Sequence, residues 1–270
     1  MDLAPTADEL HVMSFNLRFA SDTPPNSWPE RRPVVASLLE RERPHLIGTQ
    51  EGLHGQLRDI EADLPAHYGS VGQGREGGSR GEAMQIFYDS RRLQPLELDH
   101  YWLSDTPDVV GSQTWGGRCP RMVTWVRFGD RRTGQQLYAL NTHLEAFDAT
   151  ARSKSADLIV ERMAEQFDPG LPVLMTGDFN EPARPGGTVY DALVTDGPMV
   201  DTWATAAGRS ASFGTFHGYA PLSPDGPRID WVLSSPEVVT SRAAINTYER
   251  SGQHPSDHLP VQAVVTLPAG

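Results

Sequence analysis

Two hydrophobic rhythms alternate along this chain. Short apolar runs rich in β-branched and aromatic residues, bounded by turn formers, read as strands. "ELHVMSFNLRF" (9–19), "HLIGTQE" (45–51) and "LPVLMTGDFN" (171–180) are apolar enough to be buried. Further strands are expected at 83–88, 96–103, 122–128, 136–143, 228–235, 238–249 and 259–267. Between them the period lengthens to that of a helix. "PERRPVVASLLERERP" (29–44) gathers Val35, Leu38 and Leu39 on one face and ends at Pro44. A second helix is expected at 53–64. A longer one at 150–167 repeats Ala156, Ile159, Val160, Met163 and Phe167 at helical spacing, and a short one falls at 188–193. The predicted class is α/β (α+β): two packed β-sheets with helices on their outer faces. No low-complexity linker or charge block divides the chain, so residues 9–268 read as one domain after a tail over 1–8.

The chemistry gathers where the apolar strands stop. "VMSFN" ends at Asn16, "LIGTQE" at Glu51, "YALNTH" at His143 and "VLMTGDFN" at Asp178 and Asn180; "RID" carries Asp230, and "PSDH" carries Asp257 and His258. Carboxylates are costly to bury without partners. One such strand end is a turn or cap; six together, with no lysine among them, point to a shared site for a hard cation. Oxygen donors with few imidazoles and no thiolate favour Mg²⁺ or Mn²⁺ over Zn²⁺.

The ordered set "SFN", "TQE", "NTHLE", "GDFN", "RIDWV" and "SDHLPV" resembles the endonuclease/exonuclease/phosphatase superfamily with the DNase I-like fold, over residues 9 to 267. The resemblance implies a four-layer sandwich of two mixed sheets flanked by helices, and metal-dependent hydrolysis of phosphoesters. It makes Glu51 the principal metal carboxylate, Asn16 a ligand or ligand-positioning amide, and Asp257 the group that completes the metal's surroundings. It makes His258 the general base, with Asp230 accepting its other ring N–H. Asp178 and Asn180 would position the nucleophile and a phosphate oxygen, and His143 would serve the phosphate or the leaving group. Gln50, Asn141 and Glu145 stay open between structure and function. "WGGRCPRMVTW" and "NSWPERR" further resemble a bacterial branch of that superfamily.

Charge and composition narrow the substrate. The net charge of −12 argues against tight non-specific binding to nucleic acid, and stays acidic even with four carboxylates given to a metal. Lys154 is the single lysine, so arginine carries the cationic work. Arg118 and Arg121, on a Gly-rich loop, are the candidate phosphate clamps. His217, in "GTFHGY", is the candidate contact to a sugar or base. A phosphatase or phosphodiesterase acting on a small phosphorylated metabolite, a sugar phosphate or nucleotide, is therefore expected. The alternative is a nuclease: an exonuclease, a poly(A)-removing enzyme or a DNA-repair endonuclease. The single Cys119 leaves no internal disulfide. The start lacks the basic and apolar regions of a signal peptide, and no run reaches the roughly 20 apolar residues of a membrane span. A cytoplasmic monomer without membrane contact is the expectation.

Overall fold

The expected strands assemble into two sheets in the computed structural model, which describes residues 1–268. The chain runs β1 (Glu9–Asn16), α1 (Trp28–Glu42), β2 (Leu46–Gly52), α2 (His54–Asp63), β3 (Tyr68–Val71), β4 (Ala83–Asp89), β5 (Leu93–Trp102), β6 (Met122–Asp130) and β7 (Gln136–His143). It continues through α3 (Ala149–Gln166), β8 (Val173–Asp178), α4 (Thr188–Tyr190), β9 (Val200–Asp201), α5 (Thr202–Thr205), β10 (Gly208–Arg209), β11 (Asp230–Ser234), β12 (Val239–Ile245) and β13 (Val261–Thr266). One sheet has the order β10-β12-β13-β1-β2-β4-β3 and the other β5-β6-β7-β8-β11-β9. Both are mixed: β1 runs parallel to β2 and antiparallel to β13, and β8 runs parallel to β7 and antiparallel to β11.

Three apolar layers hold the sandwich. Val12, Phe128, Leu174 and Val232 meet between the sheets. Val35, Leu38 and Leu39 of α1 and Leu57 and Ile60 of α2 cover the first sheet against Met13, Phe15 and Ile47. Ala156, Ile159 and Met163 of α3 cover the second against Leu140, Met175 and Trp231. The helical faces read from the sequence are therefore the buried ones, although Val160 is only partly covered. Ser27 precedes α1 at its N-cap, and its amide donates to the Glu30 carboxylate at 2.8 Å. The expected helix at 188–193 is a single turn at α4 that widens into a π-type turn over Asp191–Thr195. β3, β9 and β10 are not among the expected strands, because pieces of two to four residues are too short to show alternation. No helix among the described residues is long and apolar enough to cross a membrane.

The sheets approach closely where β2 faces β7 and β8, and the packing there is polar. Gln50 Nε2 donates to Asn141 Oδ1 at 2.7 Å, Asn141 Nδ2 donates to the Thr49 carbonyl at 2.8 Å, and Thr176 Oγ1 donates to Asn141 Oδ1 at 3.1 Å. Gly48 permits the approach, since a Cβ there would lie 1.9 Å from Thr176 Oγ1. Gln50 and Asn141, both fully buried, are thus inter-sheet ties, although Gln50 Oε1 has no partner among the described residues.

His11 on β1 gives the fold a pH dependence. It is buried, and burial followed by the neighbouring His45 lowers its pKa to about 3. The unfolded ring protonates near 6.5, so between pH 6.5 and 3 the unfolded chain binds the extra proton. Stability is full above pH 6.5 and falls as pH drops through that window, by about 2 kcal/mol between pH 7 and 5. Urea denaturation at the two pH values should show this loss, reduced in His11→Gln. An equal loss in the variant would assign the effect elsewhere.

Candidate active site

Sheet register brings three expected residues side by side. His143 at the end of β7 pairs with Asp178 at the end of β8, and Asp178 pairs with Asp230 at the start of β11. The first sheet supplies Asn16 and Glu51 across the gap. Asn16 Nδ2 donates to Glu51 Oε1 at 3.0 Å and to Asp178 Oδ2 at 2.9 Å, tying the two sheets together at the site. Glu51 has φ 62° and Asn180 φ 51°, left-handed values that non-glycine residues rarely adopt. The Asn180 amide donates to Asp178 Oδ1 at 2.9 Å and its Nδ2 to the Leu144 carbonyl at 2.9 Å. Phe179 between them turns inward and stacks on Trp231, with ring centroids 4.2 Å apart. The apolar members of "GDFN" and "RIDWV" thereby anchor the polar ones.

His258 sits among carboxylates. Its Nδ1 lies 2.9 Å from Asp230 Oδ2 and its Nε2 lies 3.8 Å from Asp178 Oδ2. Burial would lower its pKa, but the charge and hydrogen bond of Asp230, with Asp178 and Asp257 behind, outweigh that and push it up to about 10. Burial and the Asp230 charge push Asp178 up to about 7, against the pull of His258. His143 goes the other way. Burial, and then the charges of Arg121 and His258, hold it well below the ordinary imidazole value, so it stays neutral 3.5 Å from Asp178.

Among the described residues, two groups could hold a metal ion: Glu51, His143 and Asp178, and Asp178, Asp230 and His258. Asp178 belongs to both. Asp257, expected beside Glu51, stands outside both groups and faces Arg18 Nε at 3.9 Å. Burial raises the pKa of Asp257 and of Glu82, and the Glu51 charge adds to each. The two groups bring carboxylate oxygens of Glu51, Asp178 and Asp230 together with two imidazoles and no thiolate, a donor set that fits a hard divalent cation.

The expected substrate contacts are distributed around this centre. Arg121 Nε lies 3.4 Å from Glu145 Oε2, and its Nη1 is buried without a partner among the described residues. Arg118 is exposed, with its guanidinium 3.6 Å from the centre of the Phe147 ring. His217 is packed instead of open: its Nδ1 accepts from the Tyr219 amide at 3.1 Å, and its ring lies 4.7 Å from that of His254. Glu145 is buried and accepts from the Phe147 and Arg118 amides, so it shapes the arginine loop.

Arg31 is a structural residue that the sequence reading does not single out. It is fully buried without a carboxylate partner among the described residues, and it donates to the carbonyls of Leu17, Arg18, Phe19, Asn26 and Pro255. It therefore ties the loop after β1 to the loop that carries Asp257 and His258. Its position in "NSWPERR" is visible, but on an amphipathic helix an arginine reads as a solvent-facing residue.

Comparison with known proteins agrees with the fold. A structure of an endonuclease/exonuclease/phosphatase family protein from Bacteroides thetaiotaomicron is 34% identical, with a TM-score of 0.89 over 96% of this chain and 95% of that one. A mannosyl-6-phosphatase from the same organism is also 34% identical, with a TM-score of 0.87 over 95% of this chain and 99% of that one. A protein of Acanthamoeba polyphaga mimivirus is 29% identical over 160 residues, 57% of this chain and 59% of that protein. The family model for the Endonuclease/Exonuclease/phosphatase family matches residues 13–258, and the chain belongs to that family.

Proposed function

We propose that this protein is a Mg²⁺- or Mn²⁺-dependent phosphoric ester hydrolase acting on a small phosphorylated sugar. The observation that carries the reading is His258 held between Asp230 and Asp178, with Asn16 linking Asp178 to Glu51. A divalent ion at Glu51 would offset charge on the phosphoryl oxygens. Asp230 fixes the His258 ring through Nδ1, and a divalent ion held by the neighbouring carboxylates would draw the raised His258 pKa back down and free Nε2 to take a proton from water. Asp178 and Asn180 orient that water and one phosphate oxygen, neutral His143 donates to another, and Arg121 supplies a guanidinium from the side. The likeness to the mannosyl-6-phosphatase favours a sugar phosphate over other small substrates.

The test is a panel of sugar phosphates, mononucleotides, single-stranded RNA and nicked duplex DNA, with Mg²⁺ and with Mn²⁺. Phosphate release from a sugar phosphate is expected to exceed cleavage of either polynucleotide by at least about tenfold in kcat/KM, a difference within reach of substrate-selective contacts. Polynucleotide cleavage that dominates and weakens steeply with salt would replace this reading with a nuclease.

A further inference from the structure

Three phenylalanines stand exposed: Phe19, Phe147 and Phe216, at 46%, 67% and 55% of their surface. Among the described residues they are the only aromatic members of the exposed large hydrophobics. Each lies beside the active site or its arginine loop. The Phe19 amide donates to Glu51 Oε2 at 3.2 Å, the Phe147 amide donates to Glu145 Oε1 at 3.0 Å, and the Phe216 ring lies 5.0 Å from the His258 ring. Exposed apolar rings placed around one site mark a binding surface more than scattered surface residues do. Arg118 covers one side of Phe147 and makes no ion pair or side-chain hydrogen bond among the described residues, so its donors are free beside the ring.

We infer that Phe19, Phe147 and Phe216 form the subsite for the leaving group, and that its occupant is a hexopyranose carrying the phosphate. This rests on the phosphatase reading above. A pyranose offers a face of C–H groups to the electron-rich face of a phenyl ring and hydroxyl oxygens to a guanidinium at its rim. Phe147 with Arg118 offers both.

The experiment compares mannose 6-phosphate, glycerol 3-phosphate and adenosine 5′-monophosphate in Mg²⁺, using wild type, Phe147→Ala and Phe147→Tyr. Phe147→Ala is expected to lower the ratio of kcat/KM for the hexose over glycerol about tenfold, mainly through KM, and Phe147→Tyr to restore it. An unchanged ratio would overturn the subsite. A larger loss for the nucleotide than for the hexose would overturn the sugar as its occupant. Failure of the phosphatase reading shows separately, as a wild type that releases no phosphate from any of the three, and it removes the inference as well.

Discussion

Replacing His258 with asparagine is expected to lower kcat by about 10² to 10⁴-fold, the range for loss of a positioned acid or base. KM should change far less, because the ring lies with Asp230 and Asp178 and not with the arginines. The acid limb of the pH–rate profile should flatten in the variant, since the group that must lose a proton before it can accept one is gone. Asp230→Asn should fall between wild type and that variant, keeping the imidazole but losing the carboxylate that fixes its tautomer. Steady-state kinetics across pH would check this. A His258→Asn enzyme with kcat within about tenfold of wild type would remove His258 from the chemistry.

Glu51 carries the second large effect, and it separates activity from stability. Its side chain belongs to a group that could hold the metal, while its backbone is held in the left-handed region. Glu51→Gln, Glu51→Ala and Glu51→Gly should each lose about 10³-fold in activity, equivalent to several kcal/mol of charge stabilisation. The three should differ in stability. Glycine adopts positive φ without the cost of roughly 1 kcal/mol that alanine bears, so Glu51→Gly should be the more stable of those two by about that amount. Denaturant unfolding measures the difference. Mg²⁺ or Mn²⁺ should raise the melting temperature of wild type and not of the variants. A variant that keeps the metal-induced rise would place the ion elsewhere.

Much of this architecture is legible in the sequence, for identifiable reasons. The long strands and the three main helices follow from burial on one or both faces, and the strand-end residues stand out because polar groups interrupt apolar runs. The pairing of His143, Asp178 and Asp230 is not legible, because register is a property of neighbouring strands and no single segment contains it. The polar ties between the sheets leave a period-two signal that is easily passed over. Ser14 and Asn16, Gly48 and Gln50, Asn141 and His143, and Thr176 and Asp178 each sit two residues apart, so each pair shares a face. Gln50 and Asn141 make the tie between the sheets, Ser14 and Thr176 bond to them from within each sheet, and Asn16, His143 and Asp178 reach the site. Arg118, Arg121 and His217 stand out by residue type alone, which cannot distinguish the packed His217 from the exposed Arg118.

Arg31 bears on how this scaffold can diversify. Its hydrogen bonds all end on main-chain carbonyls, so they depend on the path of the backbone and not on which side chains line it. Among these positions Phe19 is exposed and free of the left-handed backbone that Arg18 and Asn26 adopt, so its side chain can be exchanged while the guanidinium keeps its acceptors. New leaving groups can be accommodated by drift at the rim, with the hydrolytic centre inherited intact.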